Sequence, residues 1–113
     1  MSATYRGPAD RLIFLQNAIR NIDDLELKGK TNPYCSVNGY MIVHLSVEGT
    51  LGIRLGESDR QNLIETHNTK LYEQHGRVMK AFVQVPDTIQ SDAEQLKELI
   101  NIAKDFAMTL KKK

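Results

Sequence analysis

The sequence predicts a two-layer α+β domain in which an antiparallel five-stranded sheet carries helices mainly on one face. Three observations predict it. Apolar residues recur at spacings of three and four near both ends of the chain and alternate with period two in between. Tight-turn pairs, Asn38-Gly39, Glu48-Gly49 and His75-Gly76, punctuate the alternating part. Two serine-led capping boxes, Ser58-Asp59-Arg60-Gln61 and Ser91-Asp92-Ala93-Glu94, mark helix starts. The order that follows is helix, three strands, helix, two strands, helix.

The first helix follows Gly7 and Pro8, with Leu12, Leu15, Ala18, Ile19 and Ile22 on one stripe, and ends between Asn21 and Asp23. Pro8 suits a first helical turn, where its missing N–H would have had no partner. The polar stretch DDLELKGKTNP, with Gly29 and Pro33, reads as a loop. YCSV, YMIVHLSV and TLGIRLG then form a three-stranded meander through the first two turns. The box at Ser58 opens a shorter helix through Leu63, Ile64 and His67. TKLYEQHGRVMKAFVQVP reads as a hairpin whose better strand runs from Val78 to Val85, stopped by Pro86, which cannot donate to a ladder. The box at Ser91 opens the clearest helix, with Leu96, Leu99, Ile100, Ala103, Phe106, Ala107 and Leu110 along one face. Lys111, Lys112 and Lys113 place positive charge at its end, where the macrodipole favours it.

A chain of 113 residues affords one core, so residues 1–113 read as a single domain with its packed part at about 9–110. With 41% apolar and 26% charged residues, the chain falls in the ordinary globular class. Fifteen Lys and Arg against fourteen Asp and Glu argue against a protein that neutralises nucleic-acid phosphates. Cys35 is the lone cysteine, which excludes an intramolecular disulfide and points to a reducing, cytoplasmic setting. No signal-peptide core or membrane-length apolar run is found, so no membrane partner is expected.

Strand parity sorts the candidate surface residues. In YMIVHLSV it sends Met41, Val43, Leu45 and Val47 inward and Tyr40, Ile42, His44 and Ser46 outward. In MKAFVQV it sends Met79, Ala81, Val83 and Val85 inward, and in LGIRL it sends Leu51, Ile53 and Leu55 inward. The face away from the helices then carries Tyr40, Ile42, His44, Arg54, Lys80 and Phe82, a mixture suited to a protein contact.

The stretch VNGYMIVHLSVEGTLGIRLGESDRQNLIE, followed by GRVMKAFVQVPD and a long C-terminal helix, resembles the N-terminal domain of the TfoX (Sxy) competence regulators. The elements that match are Asn38-Gly39 before a strand, the Gly49 to Leu51 hairpin, an acidic turn into a helix, and Gly76-Arg77 leading through Met79-Lys80 to a Val-x-Val-Pro strand end. The resemblance covers residues 9 to 110. Where many members carry Met-Phe-Gly-Gly entering the first strand, this chain reads GKTNPYC. The resemblance implies an α+β fold and a regulatory or protein-interaction role, with no catalytic residues to transfer. Full-length competence regulators continue into a second, helical domain, so an end at Lys113 implies a stand-alone version.

The expected function is therefore a non-enzymatic interaction domain, with a protein partner or a homodimer. The alternative is a small-molecule binder or enzyme using a cleft by the 28–35 loop, with Lys28, Lys30 and Cys35 as contributors. His44, His67 and His75 stand in no metal-ligand spacing, so no metal or cofactor is expected. A nucleophilic Cys35 would need a lowered thiol pKa and a nearby base. GESDR has one glycine and acidic neighbours, a poor phosphate cradle.

Overall fold

The computed structural model describes residues 5–20, 22–29 and 31–112. Lys30 of the expected cleft, Asn21 at the expected helix end and Lys113 of the lysine triplet lie outside them. The elements are α1 (Ala9–Arg20), β1 (Tyr34–Val37), β2 (Tyr40–Leu45), β3 (Leu51–Arg54), α2 (Glu57–His67), β4 (Leu71–Gln74), β5 (Arg77–Gln84), α3 (Asp87–Gln90) and α4 (Ala93–Thr109). The strands form one antiparallel sheet in the order β1-β2-β3-β5-β4. β1 to β3 are the expected meander. α2 then carries the chain past β5 to the edge strand β4, and β5 returns between β3 and β4.

Both tight hairpins form as their turn residues dictate. Asn38 and Gly39 take φ of 57° and 84°, and His75 and Gly76 take 55° and 77°, the positive pair that a two-residue turn requires. α4 lays Leu96, Leu99, Ile100, Ala103 and Ala107 onto the sheet and onto Leu15, Ala18 and Ile19 of α1. The main core is completed by Cys35, Val43, Leu45, Leu51, Ile53, Leu55, Val83 and Val85. Fully burying an aliphatic side chain of this size contributes about 1.5–3 kcal/mol. Among the described residues no helix is long and apolar enough to cross a membrane.

Both capping boxes shift. α2 starts at Glu57, with Gly56 as its N-cap and no side-chain cap bond, so Ser58 lies inside the first turn and Gln61 bonds Glu65 instead. α4 is capped by Asp92, whose carboxylate accepts from the backbone N–H of Glu94 and Gln95 and from the side chain of Gln95. Ser91 is taken as the C-cap of α3, a single turn beginning after Pro86 in a stretch the sequence assigns to no element.

A third shift concerns parity. Ser36 pairs with Met41, but Cys35 pairs with Val43, so Ile42 is an extra residue on β2, a β-bulge. The bulge reverses alternation ahead of it. Tyr40 pairs with the buried Val37 and packs against the main core, where it had been expected on the outer face. Ile42 joins the main core at 0% exposure, and Met41 is half-buried. Val47, expected inward, lies past the end of β2 and is exposed. Beyond the bulge, Val43, Leu45, Leu51, Ile53, Leu55, Val83 and Val85 of the expected inward set are buried as read, while Met79 and Ala81 are half-buried.

Candidate functional site

The face of the sheet opposite the helices is not bare. β4 and β5 fall out of register by three residues between Leu71 and Tyr72, and this irregularity accompanies a Tyr72 ring laid over β3. Gly52 receives it: a Cβ built there would run into the Tyr72 ring, so only glycine leaves room for it. Tyr72 ends fully buried, between His44, whose ring centroid is 5.8 Å away, and Phe82 at 6.3 Å.

His44 thus lies on the outer face, as strand parity requires, and is half-buried under Tyr72. His44 Nδ1 and Tyr72 Oη are 2.8 Å apart, the ring tautomer deciding which donates. The Tyr72 hydroxyl also faces the carbonyls of His44 and Thr50 at 3.3 and 3.5 Å. Protonating His44 therefore has a geometric answer, because Nδ1–H donates to Tyr72 while the hydroxyl hydrogen turns to a carbonyl. Burial first, and the charge of His75 second, hold the His44 pKa below its ordinary 6.5. Burial pushes the Tyr72 phenol well above 10.

Next to this pair, Arg54 is held on three sides. Its guanidinium carbon is 4.8 Å from the Phe82 ring centroid and 5.5 Å from that of Tyr40, both within cation–π range. Its Nε donates to Met41 O at 2.8 Å. Lys80, two residues before Phe82 on β5, is exposed.

Of the six surface residues expected from the sequence, Tyr40, His44, Arg54 and Lys80 keep at least part of their surface open to solvent. Phe82 sits on the outer side, in register with Arg54, but is only 2% exposed. Ile42 is interior, and the Tyr40 hydroxyl donates to Lys111 O past the end of α4. Sequence reasoning missed Tyr72, the residue that organises this face. The available signal was Gly52, a glycine inside a strand, which marks a close approach.

The expected cleft by the 28–35 loop takes a different form. Cys35 is fully buried, and burial pushes its thiol up to about 12, so it offers neither a nucleophile nor a ligand contact. Lys28 is exposed and pairs its backbone with Tyr34. An open groove of about 390 Å³ lies at the Asn32 end of the loop, between the tip of the β4–β5 hairpin and the β2–β3 turn, lined by Asn32, Val47, Glu48, Glu73, Gln74, His75 and Gly76. Among the described residues no three His, Cys, Asp or Glu side chains are placed to hold a metal ion together. Compared with family models, curated proteins and solved structures, the chain finds no match, so its function has to be argued from this geometry.

Proposed function

We propose that this chain is a non-enzymatic regulatory domain of the TfoX N-terminal kind that works by protein contact, contact with a second copy included, in a reducing cytoplasmic setting. The observation that carries the reading is Arg54. Two aromatic rings and a backbone carbonyl hold a long cation in one place, with part of its water already removed. Arginine is enriched where interfaces gain most of their energy, and ordering a side chain before binding spares the entropy otherwise lost on contact. His44 and Lys80 extend the surface on either side. The lone, buried cysteine supports the reducing setting.

Arg54→Glu and Lys80→Glu test the reading better than charged replacements at Ile42 or Phe82, which are buried, so that a charge there would destabilise the fold itself. Sedimentation of the wild type is expected to give a dimer that Arg54→Glu converts to monomer, or a partner complex that Arg54→Glu loses. A monomeric wild type whose cellular partners are all retained by both variants would overturn it.

A second reading, a small-molecule binder, draws on the groove at Asn32, whose 390 Å³ falls within the size of ligand pockets. Screening small polar molecules by NMR is expected under that reading to shift Asn32, Gln74 and His75 together. Shifts elsewhere, or none, remove it.

A further inference from the structure

We propose that Asn38 is a site of spontaneous deamidation held shut by the end of α4, so that loss of its side-chain amide converts a latch on the helix into a carboxylate that repels it. Asn38 and Gly39 are the central residues of the β1–β2 turn. Asn38 Nδ2 donates to Ala107 O at 3.0 Å and to Leu110 O at 2.9 Å, carbonyls at the C-terminal end of α4, the first of which also accepts from the Leu110 N–H. From the same hairpin, the Tyr40 hydroxyl donates to Lys111 O at 2.7 Å. One turn thus fastens the last residues of a 17-residue helix.

The same dipeptide carries a chemical liability. The backbone nitrogen after an asparagine, once deprotonated, can attack the asparagine Cγ. A new N–Cγ bond forms, the bond from Cγ to the side-chain nitrogen breaks, ammonia leaves, and a cyclic succinimide remains. Water opens the ring at either carbonyl to give aspartate or isoaspartate. In sum an amide and water become an acid and ammonia, with no oxidant or reductant. Glycine offers the attacking nitrogen no side-chain hindrance, and Gly39 is exposed. In the latched state two hydrogen bonds hold the Asn38 side chain against α4, so ring closure awaits their opening. A hairpin tip against a helix end can open without global unfolding.

Either product works against the latch. A carboxylate only accepts hydrogen bonds, so both bonds to carbonyl oxygens are lost. It also sets a negative charge at the helix end that is already partially negative. Isoaspartate further lengthens the backbone of a two-residue turn that fixes the register of β1 against β2. No reverse step restores the amide, so the position accumulates a record of how often the helix end has come undone.

Holding the full-length chain at mildly alkaline pH, folded and in urea, and mapping conversion at position 38 tests this. Folded protein is expected to convert roughly tenfold or more slowly than unfolded chain, the factor corresponding to a ~1.4 kcal/mol opening. Tyr40→Phe, which removes the hold on Lys111, is expected to narrow the gap. Asn38→Asp is expected to lose hydrogen-exchange protection at residues 107–111 beyond the loss in Asn38→Ser, since only the former adds charge. Equal rates folded and unfolded overturn the proposal, as does an Asn38→Asp chain with wild-type protection at the helix end. Should Asn38→Asp fail to fold, aged wild type separated by charge supplies the same comparison.

Discussion

Tyr72, Gly52 and His44 form one unit, and each can be tested alone. Gly52→Ala forces the ring off β3 and is expected to cost about 1–3 kcal/mol in urea unfolding, in the range of overpacking. The sign of the pH effect at His44 follows from its lowered pKa. Between its folded pKa and the unfolded 6.5, the unfolded chain binds more protons, so stability rises with pH through that window and is lost as pH falls through it. The thermal midpoint is therefore expected to drop as pH falls below about 6.5, and His44→Gln is expected to flatten that dependence. Cys35, with its thiol raised to about 12, is expected to react with a thiol reagent only as fast as the chain unfolds. The outward place of His44 was legible because the alternation from Val43 to Leu45 is regular. Its cover was not, because Tyr72 arrives through a register break, and Gly52 marks a close approach without naming the residue that makes it.

At the level of elements, turns and the long helix were the most readable parts. Asn-Gly and His-Gly have few conformations to choose from, and a seven-residue apolar stripe, five of them buried, leaves α4 one way to pack. Bulges and exact caps were less readable. Ile42 is as apolar as its neighbours, so nothing in residue type reports that it is supernumerary, yet it turns Tyr40 toward the main core, with its ring still in reach of Arg54. Ile42→Ala is expected to lose about 2–5 kcal/mol, the cost of a core cavity, where an exposed residue would lose almost nothing. Serine and aspartate compete for the cap of α4, and Asp92 wins by gathering two backbone N–H groups and the Gln95 amide. Asp92→Ala is expected to lower the thermal midpoint clearly, and Ser58→Ala hardly at all, since the α2 cap uses no side chain.

Across the whole molecule the sheet is covered twice, by α1 and α4 over the main core and by the smaller Tyr72, Phe82 and His44 group on the other side. Distant polar ties close the assembly. Gln90, 1% exposed, donates to Gly49 O and accepts from Arg11, which also pairs with Asp87. The Tyr5 hydroxyl donates to Ser46 O at 2.6 Å. Gln90→Leu leaves a buried carbonyl unpaired and is expected to cost about 1–3 kcal/mol in urea unfolding. The radius of gyration, 13.0 Å, matches about 13 Å for a compact chain of this length.

The side-by-side packing of α1 and α4 also bears on how the chain is made. The apolar stripe of α1 is synthesised before any strand, yet the helix that covers it, and that seals the sheet, is synthesised after all five. Until then a nascent chain holds the meander and the hairpin with their greasy side uncovered, which is the state most exposed to a chaperone or to another copy of itself.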